Sequence, residues 1–453
     1  MADTYRWVGK ALDVKQIDTV TVAGTWATDD TATLTIGQKD LTYTIGTDTT
    51  TAQVAAGIKA MVAGEADPGT GDGTRNALGS EVAEFREVTA TVSGAVVTIT
   101  ADTAGKPFTL TATESTAGDG TATRASSQVC TGKSFADNAD NWYNVTDSSY
   151  EVPTNGGDAE GGNIVFEDSD VDCLYALTQL TDVSPATLEI KANYIGKIGL
   201  AATNADDSTW TYPEYRDRNF EIGAAADAQI ITVTIGEGEG TGSSRINLDF
   251  GDCQYQCTVL KTATREVTGV PSILLQGSHN LCTLDILRGD VGAGFYSGET
   301  TDFDSVNVGY ISSQTTDSKL FLGADCDIAD VTLKQTGGEV AVDSPTASGT
   351  IYVFGGTCVI LSGAHGTIYV ADATLKYYSG LNLATLYLYN NGVADFRYNV
   401  TDRVVTNTEM SKGSQLYDSF DTITFTNGID LKGCRLSDVT LDFGYNRTIT
   451  GVT

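Results

Sequence analysis

The chain has 453 residues, 27 of them basic and 59 acidic, for a formal net charge of −32. A hydrophobic fraction of 41% supports real cores and excludes general disorder, and 49 glycines against 7 prolines fit neither collagen nor a Pro-rich stalk. The negative charge repels phosphate, so neither nucleic acid nor an anionic membrane is an expected partner.

The length allows two to four domains. The opening MADTYRWVGKALDVKQIDTV lacks the apolar stretch of a secretory signal, and no run approaches 18 apolar residues, so no membrane span is expected. Synthesis in a reducing cytoplasm follows from that reading, and the eight cysteines are expected to be buried thiols. Only Cys253 and Cys257 are close in sequence, without a second pair or a nearby His, which argues against zinc. His279 and His365 are the only histidines, so chemistry that needs several is excluded.

Residues 1–128 read as a small α+β domain. Val20–Gly24 alternates as a strand, and TATLTI and LTYTI flank Gly37-Gln38-Lys39-Asp40 as a hairpin. Asp48-Thr49-Thr50 offers helix caps before TAQVAAGIKAMVAG, where Val54, Ile58, Met61 and Val62 share one face. After the Gly/Asp-rich loop DPGTGDGTRN come strands at Glu87–Val92, Ala95–Ala101 and Phe108–Thr113. One amphipathic helix on one face of an antiparallel sheet makes a self-sufficient core.

Residues 114–160 are rich in Gly, Asp, Ser, Thr and Asn, and 129–160 read as a linker whose Trp142-Tyr143 plugs the start of the next domain. From 161 to 453 helix signals nearly vanish. Thr350-Ile-Tyr-Val353, Thr367-Ile-Tyr-Val370 and Thr385-Leu-Tyr-Leu388 recur at spacings of 17 and 18 residues. A second strand recurs between them: Val340-Ala-Val342, Val359-Ile-Leu361, Leu375-Lys-Tyr377 and Val393-x-x-Phe396. This period predicts a right-handed parallel β-helix of roughly 14–16 rungs, about 65–80 Å long. The competing folds are a β-sandwich or a propeller, but a sandwich needs tight hairpins every 8–12 residues or so. Residues 201–222 break the period and read as an insertion or protruding loop.

The segments YRWVGKALDVKQIDTVTVAGTW, DTATLTIGQKDLTYTIG, TAQVAAGIKAMV and AVVTITADTAGKPFTLTAT resemble a module of structural proteins of tailed phages and prophages. NWYNV, YEVP and GDAEGGNIVFEDSDVDCLYAL through LEIKANYIGKIGL resemble the middle region of the same uncharacterised family. The resemblance spans roughly residues 1–310. It implies a virion component with a strand-rich, β-helix-like region and brings no catalytic residues with it.

Alternation places Tyr352, Tyr369 and Tyr387 on the outer face, followed by Tyr389 and Tyr398, as an amphipathic stripe. Its readings are a subunit or capsid contact, a glycan platform, or stacking between rungs with no partner. Tyr5, Arg6, Trp7 and Lys10 form a basic-aromatic start, read either as an anchor to an acidic neighbouring surface or as a strand capping the N-terminal domain. The loop Gly236-Glu-Gly-Glu-Gly-Thr-Gly242, the run Glu167-Asp-Ser-Asp170-x-Asp172 and the pair Asp302/Asp304 read as turns, with calcium as the alternative and no other cofactor expected. Asp285, Asp290, Glu299, Asp302 and Asp304 are the carboxylates available for glycoside hydrolysis, but Trp210 is the only Trp of the back region, which is poor provision for a sugar groove.

The reading is therefore a non-enzymatic virion surface protein, a capsid decoration or head-fibre component. It is expected to pack as a homo-oligomer, a trimer among the candidate states, against itself and the major capsid protein. A tail-associated receptor-binding spike that binds or cleaves host glycan is the alternative. A bacterial adhesin is disfavoured by the missing signal.

Overall fold

The computed structural model describes residues 3–65, 73–115, 117–154, 162–205, 210–223, 230–309, 317–345, 348–444 and 448–452; part of the loop DPGTGDGTRN and of the linker lies outside them. The architecture is mainly β.

Between residues 17 and 128 the alternating segments form two antiparallel sheets of four strands each, rather than the single sheet expected. One places Ile17–Ala23 between Val96–Ala101 and Thr121–Gln128; the other pairs Thr31–Ile36 with Lys39–Thr44 and Leu110–Ser115. The hairpin turn is only Gly37-Gln38, since Ile36 pairs with Lys39. Gly37 has φ +60°, and a Cβ there would lie 2.5 Å from the Tyr215 ring, so the turn and a close approach both demand glycine. The helix Thr51–Val62 starts at Thr50, whose side chain and that of Gln53 form a capping box. Val54, Ile58, Met61 and Val62 are buried against both sheets in one apolar cluster.

Beyond residue 162 the chain alternates between two long sheets. In the first, Asn163–Phe166, Thr187–Lys191, Ile231–Glu237 and Tyr255–Val259 begin a ladder of parallel pairings that runs to Ile449–Thr450. The second holds 11 strands, from Phe220–Glu221 to Thr440–Phe443, also in parallel register. This order is compatible with a β-helix-like solenoid. Tyr352 pairs with Tyr369 and Tyr369 with Tyr387, the 17- and 18-residue steps of the sequence. Elsewhere the steps lengthen: Thr283 pairs with Ser305 and Ser305 with Thr332, 22 and 27 residues on. Thr187 pairs with Thr232 across 45 residues, a step that contains the 201–222 insertion. Among the described residues the first sheet holds 14 strands from Asn163–Phe166 onward, two of them paired with the same neighbour, and the second, which starts only at Phe220, holds 11.

Inward side chains line up in columns, such as Leu284, Val306, Leu333, Ile351, Ile368 and Leu386, all buried in one continuous cluster. In the second sheet Val340 and Val342 pair with Cys358 and Ile360, so the inward pair is Cys358/Ile360 and not Val359/Leu361. A one-residue slip exchanges the two faces of a strand, which is why Leu361 is 37% exposed.

The end nearest residue 163 is closed by distant parts of the chain. Thr4–Trp7 inserts between Asn163–Phe166, to which it runs parallel, and the antiparallel Trp142–Asn144. Trp7 meets Trp142 edge-on at 5.0 Å and Phe166 at 5.9 Å; its indole N–H donates to Val171 O at 3.0 Å, and that of Trp142 to Ala136 O at 2.8 Å. Buried Asn141 accepts from Ala11 N and donates to Gly132 and Phe135 carbonyls. Thr4–Trp7 and residues 135–144 thus pack with the long sheets, while Thr131 pairs with Val14, so the described part of the expected linker is structural at its start.

Candidate functional site

Three outward side chains on successive strands of the first sheet form an aromatic ladder. The rings of Tyr352 and Tyr369 stack at 4.9 Å and 9°, and those of Tyr369 and Tyr387 at 4.5 Å and 19°. Tyr389 lies beside Tyr387 at 6.0 Å and donates from its hydroxyl to Glu409 at 3.0 Å; Phe354 flanks Tyr352 at 5.6 Å. Because the rings face one another along the ladder, the three central tyrosines are only half-exposed. Both faces of the Tyr369 ring are covered by its neighbours, whereas a sugar ring docks on an open aromatic face. Tyr398 is not part of the ladder. It stacks on Tyr378 at 4.3 Å, in the turns that follow the second sheet.

The basic-aromatic start is used within the chain. Tyr5 and Trp7 are buried, Arg6 pairs with Glu167 at 2.7 Å, and the Lys10 ammonium meets the Tyr150 hydroxyl. An external anchor needs these rings exposed; the segment is a strand, but it caps the long sheets and not the N-terminal domain, because Tyr5 and Trp7 find their apolar partners in the long-sheet cluster.

Several carboxylates of the acidic runs have partners within the chain, of which, among the described residues, only Glu167 and Glu237 face a cation. Asp168 accepts from Asn193 at 2.6 Å and Asp172 from the Lys197 backbone at 2.8 Å. In the Gly236–Gly242 turn, Glu237 pairs with Lys191 at 2.6 Å. Among the described residues, Asp3, Asp147 and Glu151 bring three carboxylates within 4.8 Å of one another. The Asn144 amide donates to both Asp3 and Glu151, at 2.8 and 2.7 Å, and so holds two of them together without a cation.

The five candidate carboxylates do not converge. Asp285 faces outward on the first sheet and accepts from Asn307 at 2.7 Å, Asp290 pairs with Arg265 at 2.7 Å, and Glu299 pairs with Arg218 at 2.9 Å. Asp304 is exposed. Asp302 sits beside Asp327 in a short parallel pairing, and its pKa is raised by burial and then by Asp327 and Asp330. Sequence spacing could not show a second such neighbour pair, Glu221 and Asp249 on adjacent strands, both raised chiefly by burial.

The insertion holds a cluster that the sequence reading missed. Thr203–Ala205 and Thr211–Pro213 form a hairpin that carries Tyr212, Glu214, Tyr215 and Arg216 to the N-terminal sheets. The Arg216 guanidinium grips Glu214 through two bonds of 2.7 and 2.8 Å and donates to Pro107 O at 2.8 Å. It lies 5.6 Å from the Tyr175 ring and 5.0 Å from that of Tyr215. Tyr212 donates to Glu87, which also meets Lys106. Burial alone would raise the Glu214 pKa, but Arg216 outweighs it and holds the carboxyl below its usual range. Burial raises Tyr175 to about 12. Beside this clasp runs a groove lined by Phe108, Leu174 and Tyr215. A small apolar cavity of about 100 Å³ lies elsewhere, between Leu200, Val270, Leu274 and Tyr296.

Seven cysteines are buried and Cys434 is half-buried; all eight remain thiols. Burial raises the pKa of Cys282 and Cys358 to about 12, so neither is a nucleophile at neutral pH. His365 is buried, with Nε2 2.9 Å from the Ser362 carbonyl and Nδ1 2.9 Å from the Ser348 hydroxyl. The carbonyl can only accept, so the proton belongs on Nε2, and Nδ1 accepts from Ser348 in a neutral ring. Burial lowers its pKa accordingly. Among the described residues no helix is long and apolar enough to cross a membrane. No family model, no curated protein and no solved structure matches this chain.

Proposed function

We propose that this chain is a structural component of a phage virion, a capsid decoration or head-fibre protein that works by packing many copies on the particle surface. In this reading the two long sheets are faces of a right-handed parallel β-helix, and residues 17–128 are an α+β docking domain. The handedness rests on the general preference of parallel crossovers. The resemblance of residues 1–310 to phage structural proteins supports the assignment. The observation that carries it is the continuous buried cluster from Trp7 and Phe166 to Leu431, closed at one end and tied to the N-terminal sheets through Arg216. Such a body resists bending, and multivalent packing turns weak contacts into stable attachment.

Asp302 and Asp327, side by side, favour a second reading, a tail-associated spike that acts on glycan. Imaging purified particles with this protein labelled separates the two. Hundreds of labels over the head support decoration and a handful at the tail supports the spike. Particles without label overturn both.

A further inference from the structure

Several exposed apolar side chains of the C-terminal region gather with the half-buried Tyr378 in one set of turns, while Phe354, Leu436 and Val452 lie elsewhere. Leu361 directly follows the strand Thr357–Ile360, and Tyr378 directly follows Thr374–Tyr377. Tyr398 and Phe420 follow Val393–Asp395 and Gln415–Asp418. These four strands are consecutive neighbours in the second sheet, so the four residues mark one corner of the molecule on successive levels. Leu381 and Val400 lie in the same turns. Leu381 is 52% exposed, Tyr398 43%, Val400 71% and Phe420 56%. Isolated exposed apolar residues are ordinary, but a row of this length marks a contact surface.

Charge says what can approach it. Residues 1–344 hold 50 acidic and 20 basic side chains, whereas residues 345–453 hold 9 and 7. A basic partner would be drawn to the acidic part. A second copy is repelled there and meets almost no net charge here, where Arg397 already pairs with Asp395 at 2.8 Å. A second copy also repeats the same spacing between levels, so two rows can run alongside each other in register.

We propose that this corner is a self-association surface and that its occupant is a second copy of this chain. The proposal deepens the packing reading above and rests on it, since it names which face the copies share and moves that role from the Tyr352 ladder to the Tyr398 corner. The test is sedimentation equilibrium of the full chain at low and high salt. The wild type should associate, and more tightly in 1 M NaCl, because screening removes repulsion between the acidic parts while leaving apolar contact intact. The double variant Val400→Asp/Phe420→Asp, altered only at exposed positions, should weaken dimerisation by roughly tenfold or more while its melting temperature stays close to wild type. Leu12→Asp, also exposed, should change nothing. A wild type that remains monomeric at tens of micromolar, or a double variant that associates normally, overturns the corner assignment. If association persists in the double variant and particles are still labelled, the virion reading stands and only this surface falls.

Discussion

Tyr255 is wholly buried, its ring stacked on Phe250 at 4.3 Å, and among the described residues its hydroxyl has no hydrogen-bond partner. A buried polar atom without a partner costs about 1–3 kcal/mol, so Tyr255→Phe should leave stability unchanged or raise it by about 1 kcal/mol in denaturant unfolding. A loss of that size would mean the hydroxyl is bonded. The sequence makes Tyr255 look like any strand aromatic, because satisfaction of a hydroxyl depends on neighbours two levels away. The same limit hid the inward choice at Cys358 and Ile360: Cys-Val-Ile-Leu is apolar throughout, so alternation cannot tell one face from the other, and only pairing with Val340 and Val342 decides it. His365 shows the reverse case. Its neutral tautomer follows from two contacts at 2.9 Å that lie 17 and 3 residues away in sequence.

At the scale of elements, the ladder and the clasp make separate predictions. Tyr369 stacks on two neighbours, and each stacked pair contributes about 0.5–1.5 kcal/mol beyond burial. Tyr369→Ala should therefore destabilise by about 1–3 kcal/mol, while Tyr369→Phe, which keeps the ring, should stay within about 0.5 kcal/mol; equal losses in calorimetry would sink the stacking account. Removing one partner of a buried ion pair costs about 3–5 kcal/mol. Arg216→Ala leaves Glu214 buried without its guanidinium, so it should lower stability by that amount and let the N-terminal sheets melt in an earlier, separate transition. A single unshifted transition would show that the clasp does not couple the two parts. The helix and the 17- and 18-residue repeat were legible because their apolar periods are intact. Thr121–Gln128 was not: only Ala122 of its side chains is buried, and the strand is held by backbone pairing to Ile17–Ala23. The insertion's role was equally hidden, since Tyr212 and Arg216 meet Glu87 and Pro107 more than 100 residues away.

For the whole molecule, net charge and buried carboxylates act in the same direction. Burial raises the pKa of Asp137, Glu221, Asp249, Glu299 and Asp302, so the folded chain holds more protons than the unfolded one above about pH 4. Their contribution is greatest at low pH and is lost as pH rises through the folded values. Relief of self-repulsion at −32 adds to it. His365 opposes: its lowered pKa makes stability fall as pH drops below about 6.5. Glu214 and Asp395, both held low by arginine against the effect of burial, lose their contribution only at more acid pH. The melting temperature should rise from pH 8 to about 5.5, fall again towards pH 3, and vary less in 1 M NaCl. A maximum at pH 8 would refute this balance. The sequence by itself determined the mainly β character, the repeat near Tyr352 and the acidic surface, because period and composition are local properties of a chain. Only the tertiary structure decided that the first strand caps the long sheets, that the insertion clasps the N-terminal sheets, that the five carboxylates stay apart and that Tyr398 leaves the ladder. Those outcomes depend on which distant segments pair, and pairing between strands leaves no mark in the spacing of residues along one strand.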